Sequence, residues 1–149
     1  MGYPVASVLV VDDNADFLTV IRETLEEGSP AFRVHTAETG AAALALLERQ
    51  RGDGNTSDPA FVVLDFHLED MDAPLLLNRL AASSGLRDVP VLVLSVSGWD
   101  EDEEAARSAG ARHFLVKPTR CDELHEAIVA FWRDNVAPSE GPVTDEAVE

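Results

Sequence analysis

Five short apolar runs, each followed by an amphipathic stretch, constrain this chain more than any other feature. The runs are Ser7 to Val11 (SVLVV), Phe32 to Thr36, Phe61 to Leu64 (FVVL), Val89 to Leu94 (VPVLVL) and Phe114 to Val116. Most lack polar alternation, so both faces need burial, which parallel strands obtain when crossover helices cover both sides of a sheet. The stretches between them read as those helices. Asp16 to Glu26 sets Phe17, Leu18, Ile21 and Leu25 at helical spacing ahead of Gly28 and Pro30. Gly40 to Gln50 is rich in Ala and Leu, and Pro74 stands in a first turn before Leu75, Leu76, Leu77 and Leu80. Asp100 to Ala109 has only Ala for an inner face, which predicts a weakly anchored helix. Leu124, Ala127, Ile128 and Phe131 form the stripe of the last helix, with Thr119 as its expected cap. The pattern predicts an α/β domain, doubly wound around a five-stranded parallel sheet.

Composition sets the limits around that domain. The 149 residues suit one compact unit, expected over 1–133. From Asp134 to Glu149 there are five acidic residues, two prolines and no basic residue, the composition of a solvated acidic tail. Arg51 to Pro59 (RGDGNTSDP) reads as a surface loop. With 28 acidic against 11 basic residues the net charge is -17, which disfavours nucleic acid and anionic membranes and favours cations and basic partners. The lone Cys121 forms no internal disulfide, and no apolar run approaches the ~20 residues that span a bilayer. A cytoplasmic location is the expectation. Ten of the eleven basic residues are Arg, so Lys117 is the single compact, flexible ammonium in the chain.

Ligands of open parallel sheets bind beyond the carboxyl ends of the strands. There stand Asp12 and Asp13 after the first run, Asp65 after the third, Ser95 after the fourth, and Lys117 with Pro118 after the fifth. Neighbouring aspartates usually mark a solvated turn, but these directly follow buried strands. Three carboxylates gathered together repel unless a cation lies among them, and hard oxygen ligands suit Mg²⁺. A carboxylate beside Mg²⁺ can attack a phosphoryl group and hold it as an acyl phosphate. Asp65 is the candidate nucleophile. Lys117 is a candidate partner for one phosphoryl oxygen, and the Ser95 hydroxyl with backbone N–H groups near Val96 for another.

The segments VLVVDDNADF, LDFHLEDMDA, LVLSVSGW and LVKP, in this order, resemble the receiver domains of two-component response regulators over roughly Ser7 to Arg133. The separations of 30 residues from Asp65 to Ser95 and 22 from Ser95 to Lys117 fit a compact receiver. The resemblance implies a flavodoxin-like strand order 2-1-3-4-5. It implies Asp65 as phosphoacceptor, Asp13 as a direct Mg²⁺ ligand, Asp12 as a ligand acting through water, and His67 as a ligand through its backbone carbonyl. It further implies Ser95 as the switching hydroxyl, Lys117 as the phosphate-pairing lysine, Phe114 as an aromatic switch, and a cis Lys117–Pro118 bond. Glu69 stands where such domains usually have proline, Ala73 where they often have glycine, and Val96 where Ala or Gly is common. These departures predict a changed loop path and an altered phosphorylation lifetime. The spacing of 52 residues from Asp13 to Asp65 is long, and the excess falls in Arg51 to Pro59, at the sheet edge away from the acidic residues.

The implied function is a phosphorylation-activated switch, not an enzyme with a separate substrate. Its partners would be a histidine kinase or histidine phosphotransfer protein and a downstream protein target, reached by contact or by onward phosphotransfer. The 16 residues from Asp134 to Glu149 are too few for a DNA-binding or enzymatic output domain, so output by protein contact or onward phosphotransfer is the expectation for the chain as given. Two alternatives remain at this level. One is a receiver-like interaction module independent of phosphorylation. The other is a flavodoxin-like carrier, although Asp12 and Asp13 would repel a flavin phosphate. His35, His113 and His125 show no metal-ligand spacing.

Overall fold

A computed structural model describes residues 4–52, 59–83 and 85–137. Five strands alternate with five helices: β1 (Ser7–Val11), α1 (Ala15–Glu27), β2 (Arg33–Ala37), α2 (Gly40–Gly52), β3 (Phe61–Asp65), α3 (Ala73–Ala82), β4 (Val91–Ser95), α4 (Asp100–Ala109), β5 (His113–Val116) and α5 (Cys121–Asn135). All strands are parallel, in the order β2-β1-β3-β4-β5. The expected doubly wound sheet is therefore present, with its switch point between β1 and β3.

Strand alternation divides the core into two layers. Leu9, Val11, Val62, Leu64, Val91 and Val93 face one layer, shared with Leu76, Leu77 and Leu80 of α3. Val8, Val10, Phe61, Val63, Leu92 and Leu94 face the other, shared with Leu18, Ile21 and Leu25 of α1 and Leu124, Ile128 and Phe131 of α5. The helices differ in anchorage. α5 buries Leu124, Ile128, Val129 and Phe131, each contributing about 1.5–3 kcal/mol when fully removed from water, whereas α4 buries only Ala106. The inner face of α4 is as thin as its sequence predicts.

Several boundaries differ from the sequence expectation. α5 begins after Arg120, so Thr119 is not its cap. Arg120 occupies the cap position without a side-chain cap bond; its guanidinium donates to both oxygens of Asp122, in the first turn, which also accepts the Glu123 N–H at 2.9 Å. α5 also continues two residues past Arg133, to Asn135. α2 extends to Gly52, and the rest of the expected loop, residues 53–58, lies outside the described residues, as does the tail from 138 onward. Among the described residues the one cis peptide bond is Ser29–Pro30, so Lys117–Pro118 is trans, in contrast to the bond the resemblance implied. No helix among the described residues is long and apolar enough to cross a membrane.

Candidate phosphoryl and metal site

Because all five strands run the same way, their carboxyl ends meet at one edge of the sheet. β1 and β3 are neighbours, which brings Asp12 and Asp13 beside Asp65. One oxygen from each of these three side chains lies within 4.8 Å of the others. Asp12 is only 2% exposed, yet both its oxygens are engaged: Oδ1 accepts the Asn14 N–H at 2.9 Å, and Oδ2 accepts the Lys117 ammonium at 2.5 Å. Asn14 then caps α1 by accepting the Phe17 N–H at 3.0 Å. The turn after β1 is thus held by the carboxylate and by the helix it starts.

Asp13 is exposed and Asp65 half-buried. Burial, followed by the repulsion of Asp12, pushes the Asp65 carboxyl up to about 6, although Lys117 partly opposes this. Three negative charges against one ammonium leave an excess suited to a divalent cation. All the available donors are hard carboxylate oxygens, and the cluster is open on the Asp13 side, a set that fits Mg²⁺.

The remaining expected residues surround this cluster. Ser95 closes β4 and is 1% exposed. Its hydroxyl accepts the Gly98 N–H at 3.3 Å and lies 3.1 Å from the Ser97 hydroxyl. The Lys117 N–H donates to the Ser95 carbonyl at 2.9 Å, fixing the β5 end against the β4 end. Phe114 is buried, its ring edge-on to Phe66, the residue after Asp65, with centroids 6.5 Å apart. His67 lies at the rim, Nδ1 3.3 Å from Asp72 Oδ1 and Nε2 3.6 Å from Asp102 Oδ2. Val96 is 75% exposed and Trp99 63% exposed.

Residues 8–129 match the response regulator receiver domain. The chain belongs to that family. The receiver domain is 32% identical over 128 residues to the probable methanogenesis regulatory protein FilR2 of Methanothrix harundinacea, a match covering 84% of this chain and 82% of that protein. It is 36% identical over 126 residues to the transcriptional regulatory protein PrrA of Mycobacterium tuberculosis, covering 85% of this chain and 49% of PrrA. It spans only 29% of the cyclic di-GMP phosphodiesterase response regulator RpfG of Xanthomonas campestris, at 30% identity. Among solved structures, the phosphorylated cyanobacterial phytochrome response regulator RcpA superposes with a TM-score of 0.72 at 27% identity, covering 85% of this chain and 93% of RcpA. A response regulator of red light signaling in R. palustris gives a TM-score of 0.73 at 25% identity, covering 85% and 91%. Phosphorylation-based two-component signalling is the setting of this domain.

Three contributors to the receiver site escaped the sequence reading. The Phe17 ring lies under Lys117, with Nζ 4.1 Å from its centroid, so the ammonium is held between an aromatic face and Asp12. Asp70, in the loop after β3, accepts the Gly40 and Ala41 N–H groups at 2.9 and 3.0 Å, capping α2 from 30 residues away. These bonds hold its carboxyl below the usual range. Met71 packs against Gly40, where a Cβ would lie 2.5 Å from its sulfur. This docking of loop 66–72 onto α2 constrains the backbone that carries His67. Asp102, on α4, is the third, through its contacts with Ser97 and His67.

Proposed function

We propose that this protein is a response regulator in which Asp65 accepts a phosphoryl group from the phosphohistidine of a histidine kinase or phosphotransfer protein, with Mg²⁺. The observation that carries this reading is the convergence of Asp12, Asp13 and Asp65 within 4.8 Å, with Ser95 and Lys117 at the same sheet edge. Asp13, Asp65 and the His67 backbone carbonyl would hold Mg²⁺, with Asp12 acting through water, and the bound ion would supply positive charge to offset that of the attacking carboxylate and one phosphoryl oxygen.

An Asp65 oxygen attacks phosphorus, the P–N bond of the donor breaks, and its imidazole leaves with the electron pair. Lys117, already held near by Phe17 and Asp12, turns its ammonium to a second oxygen. The Ser95 hydroxyl and the Val96 N–H meet a third. Ordinary hydrolysis of the acyl phosphate returns Asp65, so the protein assists its own loading and slow unloading and turns over no separate substrate. Movement of Ser95 and Phe114 would alter the surface of α4, β5 and α5. The exposed Val96, Trp99 and Val116 lie there as contacts for a downstream protein. The excess of acidic residues supports protein over nucleic-acid partners for this domain.

Incubation with acetyl phosphate and Mg²⁺, followed by intact-mass measurement, tests the reading. The wild type should gain one phosphoryl group, and Asp65→Asn or excess chelator should abolish the gain. An unchanged gain in Asp65→Asn would refute Asp65 as acceptor.

A further inference from the structure

The acidic start of α4 contains one carboxylate unlike its neighbours. Asp100 and Glu101 are exposed, whereas the Asp102 side chain is 15% exposed and turned toward the β4–α4 loop. Its Oδ2 lies 3.3 Å from Ser97 Oγ, which lies 3.1 Å from Ser95 Oγ, which in turn accepts the Gly98 N–H at 3.3 Å.

Donor and acceptor inventory gives this chain a direction. An ionised carboxylate only accepts, so Ser97 donates its one hydroxyl proton to Asp102. Ser97 then has none for Ser95, so the 3.1 Å hydrogen bond between the two hydroxyls has Ser95 as its donor. The Ser95 proton therefore points along the relay toward α4, and one of its lone pairs receives the Gly98 N–H.

We infer that Asp102 is a positioning residue that, acting through Ser97, aims the Ser95 hydroxyl proton away from the phosphoryl site in the resting protein. This rests on the proposed role of Ser95 as a phosphoryl ligand. To donate to a phosphoryl oxygen, Ser95 must give up Ser97, so resting geometry and phosphoryl binding compete for one proton. Asp102 biases that competition toward rest. The same competition links the site to α4, the helix with the least apolar anchorage, because Asp102 is one of its first-turn residues.

Beryllofluoride, a phosphoryl mimic, measures the competition at equilibrium when its binding to the full chain is followed by ¹⁹F NMR at saturating Mg²⁺. Asp102→Asn keeps the shape of the side chain but supplies an N–H that can donate to Ser97, so the relay can reverse and free the Ser95 proton. Beryllofluoride should then bind about 2- to 10-fold more tightly, the effect of one net neutral hydrogen bond. Ser97→Ala removes the resting acceptor and should tighten binding similarly. The Asp102→Asn/Ser97→Ala pair should bind no more tightly than Ser97→Ala alone, and Glu101→Gln, which removes an exposed charge from the same turn, should match the wild type. Wild-type affinity in both Asp102→Asn and Ser97→Ala would overturn the relay. So would an Asp102→Asn gain that persists in full without Ser97 or is matched by Glu101→Gln, since that would be bulk charge alone. A wild type that binds Mg²⁺ but no beryllofluoride would overturn the phosphoryl-site reading and the relay together.

Discussion

Removing the ammonium of Lys117 should unfold this protein more readily in the absence of metal than in its presence. Asp12 is 2% exposed and has Asp13 and Asp65 as neighbours, so its charge depends on Lys117 and on the Asn14 N–H. Lys117→Met keeps the stem over Phe17 and deletes only the charged head. Breaking a buried pair from one side costs about 3–5 kcal/mol. The lower end applies here, about 3 kcal/mol, because Asp12 Oδ1 keeps its backbone donor. Against a domain stability of about 5–15 kcal/mol, that loss moves a denaturant midpoint visibly. Urea titrations with chelator and with saturating Mg²⁺ should show the full loss only with chelator, since the cation can take over the compensation. Adding Asp12→Asn to Lys117→Met should recover most of the stability in chelator. A Lys117→Met protein within 1 kcal/mol of wild type in chelator, on the scale of an exposed pair, would refute the argument that this contact is a buried, mutually dependent pair.

Further outcomes follow from other parts of the structure. Asp65 is raised from its unfolded value of 3.8 to about 6, so the folded metal-free protein holds a proton that the unfolded chain has released. Stability in chelator should therefore fall as pH rises from about 4 to about 6, and calorimetry across that window checks the sign. Calorimetric Mg²⁺ titrations should show affinity weakening as pH drops below about 6, because the cation must then displace that proton. Asp70→Ala should lower stability by about 1 kcal/mol by uncapping α2, as measured by denaturant midpoint. Gly98→Ala should destabilise by about 1–3 kcal/mol, because φ is +67° and the added Cβ would lie 2.6 Å from Val116 Cγ2.

The sheet was legible because its signal is local: runs such as SVLVV and FVVL carry their burial in consecutive residues. The acidic residues and Lys117 were legible for the same reason, since each stands directly after a strand and parallel pairing gathers strand ends. The partners of these groups were not. Asp70 caps α2 across 30 residues, and nothing near Gly40 announces a carboxylate donated by another loop. Lys117 pairs with Asp12 over the Phe17 ring, a contact 105 residues apart in sequence that no local pattern encodes. Thr119 failed as a cap because Arg120 and Asp122 settle that helix start through side-chain bonds that a capping pattern does not encode. Asp102 was hidden in a run of like charges, and only the helix orientation separates its inward side chain from Asp100 and Glu101.

Chemical trapping tests at the residue whether Asp65 carries the phosphoryl group. Borohydride reduces an aspartyl phosphate to homoserine, so protein loaded with acetyl phosphate and Mg²⁺ can be reduced, digested and mapped by mass spectrometry. Homoserine is expected at position 65 and nowhere else. Homoserine at Asp12 or Asp13, or none at position 65 in protein whose intact mass shows a phosphoryl group, would contradict it.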